Sequence, residues 1–394
     1  MANAHQPLRL TRTLRRVKRR VMISPVGSSL LQALALQSRH KPRRILLVSD
    51  RAVPTSEQQF APLIRHATRI ARQFGVIFHY ATPDVARGLS PVTLRGFAAV
   101  GLKLGFRTPA AEAGAVARAL FEPLKGHQTR ALVFDGDDDL CVLWPEVLAL
   151  CDAYIKKHVH ADLGSYGVRT VGKSNLTDLA HRVYGADFSQ DIIPASGGIA
   201  PDQAAKIVLG WNIALDDQIF DLSRHLRLPA TRHDRYDLSC RASVPETFWT
   251  HGHRNAAVQA MAALKDRYRV HAPTDRVARG QYLDEMLHSR IVVSPFGYGE
   301  LCWRDFEAIL CGALLVKPDT SHLRTMPDLL VPGETYLPVA WDFSNLEAVC
   351  APYLADEARR RALAETARAR LLDALRAESF LDRLAAVLKQ TGVT

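Results

Sequence analysis

The sequence predicts an α/β protein with two doubly wound domains, preceded by a basic N-terminal extension. The chain has 394 residues, which is enough for two hydrophobic cores. Short apolar runs alternate with segments of helical periodicity, a pattern that is typical of parallel sheets. The alternation weakens between residues 161 and 234 and then begins again. We therefore expect two sheets with a cleft between them, and ligands at the carboxyl ends of the strands.

Four segments follow from this reading. They are an extension at 1–42, an N-terminal α/β domain with its linker at 43–235, a C-terminal α/β domain at 236–374, and a C-terminal helix at 375–394. No run approaches the roughly 18 apolar residues of a membrane-spanning helix. Six cysteines stand in apolar surroundings without a C-x-x-C pair, which indicates reduced, mostly buried thiols in a cytosolic protein rather than a zinc site.

Apolar runs and cap residues give the elements of the N-terminal half. The expected strands are Arg43–Asp50, Val76–Thr82, Arg130–Phe134 and a strand-like piece within Lys206–Leu215. The expected helices are Ser56–Gly75, a long region ending near Leu124, and Trp144–Val159.

The same signals recur in the C-terminal half. The expected strands are Thr247–Gly252, Tyr268–Pro273, Arg290–Pro295, Ala313–Pro318 and Thr335–Ala340. The expected helices are Arg254–Leu264, Gly280–Ser289 and Trp303–Gly312, followed by helices almost to the end of the chain.

The net charge of +11 belongs to the extension. Residues 1–44 contain eleven Lys or Arg and no acid, so the other 350 residues carry 40 charges of each sign. Apolar residues recur at helical spacing among the arginines of residues 9–20, which favours a basic amphipathic helix on an anionic membrane surface. A solvated tail, a nucleic-acid arm and an Arg-rich transit peptide remain alternatives. Since no basic groove with stacking aromatics follows, we expect no nucleic-acid partner.

The stretch "SPFGYGELCWRDFEAILCGALLVKP" (294–318) combines a strand end, a loop with two glycines and the start of a helix. Ser294, Gly297, Gly299 and Glu300 are substrate-binding candidates in this stretch. The two glycines permit unusual backbone angles, and the helix that begins near Trp303 or Arg304 offers free N–H groups to an anion. Arg304 and Glu307 share one helix face. A nucleotide offers matching groups, since ribose hydroxyls donate to a carboxylate and a diphosphate accepts from N–H groups and arginine. A structural glycine loop and a surface ion pair are the alternatives.

These residues resemble the sugar-nucleotide region of GT-B glycosyltransferases, including the exostosin-like pattern, over about residues 246–354. The resemblance implies two Rossmann-like domains and a ribose contact from Glu307. In retaining families a second glutamate lies eight positions earlier. That position is Gly299 here, and the nearest acid is Glu300.

The resemblance also implies a diphosphate contact from a basic residue after the first strand of the second domain, where Arg254 stands. Lys317 ends the strand "ALLVK" and is a further substrate-binding candidate at the cleft.

The segment "FDGDDDL" (134–140) follows a predicted strand and should face the cleft. Helix caps, a metal site or a general base for the acceptor hydroxyl are all compatible with clustered aspartates. Asp137 and Asp138 are the candidate catalytic residues.

The sequence thus predicts a glycosyltransferase that moves a sugar from a nucleotide-diphosphate sugar to a surface-polysaccharide or lipid-linked glycan acceptor. We expect no metal and no cofactor beyond the donor, and a cytoplasmic location, peripheral at the inner membrane face. A sugar-nucleotide epimerase on the same fold and a non-catalytic glycan-binding protein are the alternatives.

Overall fold

The computed structural model describes residues 17–38, 40–50, 54–228, 234–246 and 248–393. The strands are β1 (Arg43–Ser49), β2 (Val76–Ala81), β3 (Ala99–Lys103), β4 (Arg130–Asp135), β5 (Ala153–Lys156), β6 (His158–His160), β7 (Thr170–Val171), β8 (Ala195–Ser196), β9 (Ile207–Leu209), β10 (Tyr236–Ser239), β11 (Val270–His271), β12 (Ser289–Val293), β13 (Leu314–Pro318), β14 (Leu323–Thr325) and β15 (Leu337–Val339).

The helices are α1 (Pro25–Gln37), α2 (Pro54–Arg65), α3 (Ala67–Phe74), α4 (Pro83–Arg87), α5 (Pro91–Arg95), α6 (Ala110–Phe121), α7 (Pro145–Leu150), α8 (Asn175–Tyr184), α9 (Pro201–Ala204), α10 (Asp217–His225), α11 (His251–Ala262), α12 (Arg279–Leu287), α13 (Trp303–Leu310), α14 (Leu346–Ala355), α15 (Glu357–Ala374) and α16 (Ala377–Gln390). Residues 17–22 are also helical. No helix among the described residues is long and apolar enough to cross a membrane.

Two parallel sheets organise the chain. The N-terminal sheet has the order β2-β1-β3-β4-β5-β9, and the C-terminal sheet has the order β11-β10-β12-β13-β15. In each sheet the strand order reverses at the first strand, which places a topological switch point between β1 and β3 and between β10 and β12. The predicted fold class, two Rossmann-like α/β domains, is confirmed.

Three predicted elements are wrong. Strand β3 lies within the region predicted to be helical before Leu124, and residues 153–160 form strands β5 and β6 instead of a helix. The reason is burial, because β3 and β5 are covered on both faces and show no alternation. The first C-terminal strand is β10, not Thr247–Gly252. Asp237 interrupts its apolar run and is paired with Arg269 and Arg290, while Gly252 lies in α11 and Thr247 lies outside the described residues.

The two domains share a continuous interface. Strand β14 of the C-terminal domain pairs antiparallel with β6 of the N-terminal domain. Helix α16 crosses back to the N-terminal sheet, where the Phe380 ring meets Trp211 edge-on with 5.3 Å between centroids. The cleft between the switch points is therefore held by contacts from both lobes.

The cysteines are as predicted. All six are free thiols, and five of them are buried, with Cys302 half-buried.

Candidate functional site

The site lies at the carboxyl edge of the C-terminal sheet, at the switch point between β10 and β12. The loop after β10 leads into α11, which carries Arg254, and the loop after β12 leads into α13, which carries Arg304. Because β10 and β12 are adjacent and parallel, both loops leave the sheet at the same edge.

Arg254 and Arg304 form a pair of neighbouring half-buried guanidiniums. Arg254 donates to the carbonyl oxygens of Ser243 (3.0 Å) and Phe296 (3.4 Å), and Arg304 donates to the carbonyl of Arg241 (3.3 Å). Burial and the charge of Arg304 lower the pKa of Arg254. Within the part of the chain that the structure describes, neither arginine forms an ion pair with a carboxylate. Two positive charges are thus held together without an ion-paired carboxylate, an arrangement that can bind an anion.

The loop between β12 and α13 has ordinary backbone angles at its two glycines, so the unusual angles that Gly297 and Gly299 permit are not adopted. Gly299 is needed for a different reason. A Cβ there would lie 1.8 Å from the carbonyl oxygen of Asp138 in the N-terminal lobe. At Gly297 the nearest atom would be 3.5 Å away, and the Arg254 guanidinium lies beside it at 3.9 Å. Gly299 therefore allows the two lobes to come into contact, and Gly297 borders the anion site.

Ser294 and Lys317 do not face the cleft, and their prediction as substrate-binding residues is corrected here. Both side chains are fully buried. The Ser294 hydroxyl donates to Asp305 (2.6 Å), and the Lys317 ammonium lies 3.3 Å from the other oxygen of the same carboxylate. Asp305 also accepts the N–H of Cys302. The side chains of Ser294, Asp305 and Lys317 thus join the end of β12, the start of α13 and β13, and they fix the position of the loop between β12 and α13.

Glu300 is also fully buried, so it is a link between the lobes rather than an open substrate ligand. Its carboxylate accepts from Asn175 of the N-terminal lobe (2.9 Å) and lies 3.2 Å from His322 and 3.5 Å from His158. Although burial opposes ionisation, hydrogen bonding by His158 and His322 holds the pKa of Glu300 well below its usual value.

Glu307 is only 2% exposed, on the face of α13 that also carries Arg304. Its Oε1 lies 2.8 Å from the guanidinium of Arg279 and accepts from Gln218 (3.0 Å). It makes no contact with Arg254. A ribose could reach this carboxylate only by displacing Arg279, so the ribose contact stays a prediction.

The aspartate cluster follows β4 and touches the C-terminal lobe through the backbone of Asp138, and each of its carboxylates has its own lysine. Their ion pairs are Asp135–Lys156, Asp137–Lys103, Asp138–Lys157 and Asp139–Lys173. Asp137 is buried, and Lys103 beside it is completely enclosed, so its catalytic role stays a prediction that this burial does not favour. Asp138 has a side chain that is 32% exposed and remains a candidate. In the described residues no group of three His, Cys, Asp or Glu side chains is arranged to hold a metal ion.

His253 supports the loop from α11, and sequence reasoning missed it. Its Nε2 accepts the N–H of Phe296 (3.1 Å), and its ring stacks on that of Phe296. Burial, helped by the charges of Lys317 and Arg254, lowers the pKa of His253 to about 3. The imidazole is therefore neutral, as the accepted hydrogen bond requires.

Other missed residues are Asp305, Arg279 and the histidines around Glu300. Only Asp305 carried a signal, because an acid in the first turn of a helix is a capping residue. Arg279, His158 and His322 come from other parts of the chain, so no local pattern marked them as site residues.

The predicted resemblance to GT-B glycosyltransferases is confirmed by the two Rossmann-like domains and by a family model that matches part of the C-terminal half. Residues 253–386, about a third of the chain, match the family model described as glycosyl transferase-like. This segment begins in α11 and includes the loop, α13 and the strands that follow.

Several solved structures are similar in outline. They include S. aureus MnaA with UDP (11% identity, 88% of this chain and 97% of that one, TM-score 0.44), Anabaena HepE with UDP-glucose (10%, 88% and 99%, 0.43) and a Rickettsia africae glycosyltransferase (9%, 89% and 99%, 0.48). At TM-scores below 0.5 these similarities carry no argument about the site. No curated protein matches the sequence.

Proposed function

We propose that the protein transfers a sugar from a nucleotide-diphosphate sugar to a glycan acceptor, either a surface polysaccharide or a lipid-linked glycan. The observation that carries the proposal is the pair Arg254 and Arg304, which lacks a carboxylate partner at the switch point of the C-terminal sheet. The family match over residues 253–386 begins one residue before Arg254 and includes both arginines.

The two guanidiniums would hold the diphosphate. Charge builds on the leaving diphosphate as the bond to the anomeric carbon breaks, so positive groups fixed in advance lower the barrier. Gly297 lies beside Arg254 without a side chain, which leaves room for the phosphate oxygens. The buried Ser294–Asp305–Lys317 cluster keeps this loop rigid, and rigidity is what makes the stabilisation effective.

The acceptor would enter from the N-terminal lobe. Asp138 is the only one of the four clustered aspartates with a substantially exposed side chain, and its backbone touches Gly299. In this proposal Asp138 would receive the proton of the acceptor hydroxyl. Its pairing with Lys157 would orient the carboxylate.

Thermal-shift measurements with UDP-, GDP-, ADP- and CMP-linked sugars test the donor site, because a ligand that binds the folded state raises its stability. We expect one nucleotide class to stabilise the protein. Arg254→Gln and Arg304→Gln should each weaken its binding about 10- to 100-fold, as loss of a charge-assisted hydrogen bond costs about 1.5–3 kcal/mol. Arg267→Gln is the matched control, since this exposed arginine of the same domain pairs with Glu347 elsewhere. Equal binding by all three variants would refute the donor site.

The reaction itself is tested by nucleotide release, with and without a membrane extract as a source of acceptor. Transfer requires release that depends on the extract. Release or isomerisation without it would indicate the epimerase, and binding without turnover would indicate a glycan-binding protein.

We also propose that the N-terminal segment holds the enzyme at an anionic membrane surface. Val17 and Val21 are exposed on the helical stretch of residues 17–22, and Val26 and Leu30 are exposed on α1, after a break at residues 23–24. Lys18, Arg19 and Arg20 lie among them, and the segment contains no acid. Exposed apolar groups between basic residues fit a bilayer interface with anionic headgroups. Arg9, Arg12, Arg15 and Arg16 lie outside the described residues.

A further inference from the structure

An exposed aromatic side chain stands at the tip of the loop between β12 and α13. Tyr298 is 53% exposed, and it is the only large hydrophobic side chain exposed in the described residues between 234 and 393. Neither the anion site nor the buried anchors use it. Single exposed apolar side chains are common on folded domains, so what distinguishes Tyr298 is its position between the two glycines of the loop at the cleft.

Three aromatic rings extend from this point along the cleft. The Tyr298 ring meets Phe248 edge-on with 5.2 Å between centroids, and Phe248 lies 5.8 Å from Trp249. Trp249 lines the narrow space between the lobes together with Tyr184 of α8. The rings therefore form one edge of the cleft, and Tyr298 is its exposed end.

The neighbours of Tyr298 are polar groups of both lobes. Gly297 on one side lies next to Arg254, and Gly299 on the other lies against the backbone of Asp138. Since adjacent Cα atoms are about 3.8 Å apart, Tyr298 stands within a few ångströms of the contact between the lobes. On the N-terminal side of this contact the Asp138 side chain is 32% exposed, while its partner Lys157 is buried.

An exposed ring near a partly exposed carboxylate matches the chemistry of a pyranose. The C–H groups of a sugar face pack against an aromatic ring, whose surface is apolar and slightly negative. The hydroxyls at the sugar's edge donate to a carboxylate. We infer that Tyr298, supported by Phe248, is the platform on which a sugar ring of the substrate stacks. This inference rests on the proposed function, and the sugar belongs to either the acceptor or the donor.

Saturation-transfer NMR with methyl glycosides of common hexoses and N-acetylhexosamines provides the test for free sugars. We expect at least one glycoside to bind through its C–H face. Tyr298→Ala should weaken that binding about tenfold, equivalent to about 1.4 kcal/mol. Tyr298→Phe, the matched control, keeps the ring and should bind within about twofold of the wild type. An exposed side chain is replaced in both cases, so the fold should be retained.

The same variants are then titrated with the free nucleoside diphosphate and with its sugar-linked form. An acceptor platform leaves both affinities unchanged, while a donor-sugar platform weakens only the sugar-linked form. The inference is overturned if Tyr298→Ala binds glycosides and donor as the wild type does, or if it weakens the free nucleotide, which would indicate stacking of the base. It is also overturned if the wild type binds no glycoside and Tyr298→Ala leaves the donor affinity unchanged. Absence of any nucleotide binding by the wild type would instead refute the proposed function, and Tyr298-dependent glycoside binding would still be measurable.

Discussion

Gly299 of the C-terminal lobe lies against the backbone carbonyl of Asp138 in the N-terminal lobe, with no space for a side chain between them. The contact joins the loop that borders the arginine pair to the half-exposed aspartate proposed as the base. This close approach of two backbones acts together with the β6–β14 pairing and the packing of α16 to set the relative position of donor and acceptor.

Replacement of Gly299 by alanine should separate the lobes. The added Cβ would stand 1.8 Å from the Asp138 oxygen, and backbone atoms cannot yield as a flexible side chain does. We expect a lower Tm and a larger radius of gyration by X-ray scattering, with a cost of about 1–3 kcal/mol. Gly297→Ala has space for the methyl group and should have the Tm and the radius of gyration of the wild type. Equal effects of the two substitutions would contradict the structure.

The ribose assignment of Glu307 is tested through the residue that covers it. Arg279 lies 2.8 Å from Glu307, and its side chain is 38% exposed, so it is the group a ribose would have to displace. If Glu307 binds ribose, Arg279→Gln should tighten nucleotide binding severalfold, and Glu307→Gln should weaken it at least tenfold. Titration calorimetry gives both values.

The alternative to ribose binding is a purely structural role for Glu307. If Glu307 serves only to join α13 to α12 and α10 through Arg279 and Gln218, both variants lower the free energy of unfolding and leave the nucleotide affinity unchanged. The ribose role would then be rejected.

The pair Asp137 and Lys103 should be structural. Both charges are enclosed at 3.1 Å, and removal of one partner from such a pair costs about 3–5 kcal/mol. We expect Lys103→Met to destabilise the protein strongly in urea unfolding, and the double variant Lys103→Met with Asp137→Leu to regain much of the loss. A stable double variant that has also lost all transferase activity would restore Asp137 as a catalytic residue.

Acid should weaken the fold through His253. Its pKa of about 3 in the folded protein is below the ordinary value of about 6.5. Between these values the unfolded chain binds a proton that the folded chain does not. The stability that depends on the neutral His253 is fully present above pH 6.5. As the pH falls below this value, the free energy of unfolding decreases by up to about 1.4 kcal/mol per pH unit.

His253→Gln should reduce this slope, because glutamine can accept the Phe296 N–H but does not titrate. Urea unfolding between pH 4 and 6.5 measures the slope of the unfolding free energy against pH. His127→Gln is the control, because His127 is exposed. His66 and His160, both with a pKa lowered to about 4 chiefly by burial, act in the same direction, so part of the slope remains. An unchanged slope in His253→Gln would show that the imidazole is not buried as described.

The membrane proposal is tested with Val21→Ser and Val26→Ser. Sedimentation with vesicles containing phosphatidylglycerol should show binding that falls with added salt and is weakened severalfold by each substitution. Val92→Ser is the control, because Val92 is 78% exposed on α5, away from the basic segment in the sequence. Equal binding to neutral vesicles, or an equal loss with Val92→Ser, would contradict the proposal.

Local patterns were sufficient for the fold class and for the loop. Strands such as β1 and β13 are continuous apolar runs, and the glycines, cap and helix face around Arg304 are local features that the sequence displays directly. The pattern failed at β5 and β10, where double-sided burial and a paired buried carboxylate concealed the strands.

Partnerships between distant residues were decided only by the tertiary structure. The sequence determined by itself that Arg304, Glu307 and the aspartates would stand near the carboxyl ends of parallel strands, because each follows a correctly predicted strand along the chain. Arg254 follows β10, a strand that the sequence did not reveal. It did not determine which charges neutralise each other. Lys103, Lys157 and Arg279 come from separate elements, and their pairing with Asp137, Asp138 and Glu307 leaves the two arginines as the open charges of the site. An ion pair depends on distances of a few ångströms between side chains, and only the folded chain fixes such distances.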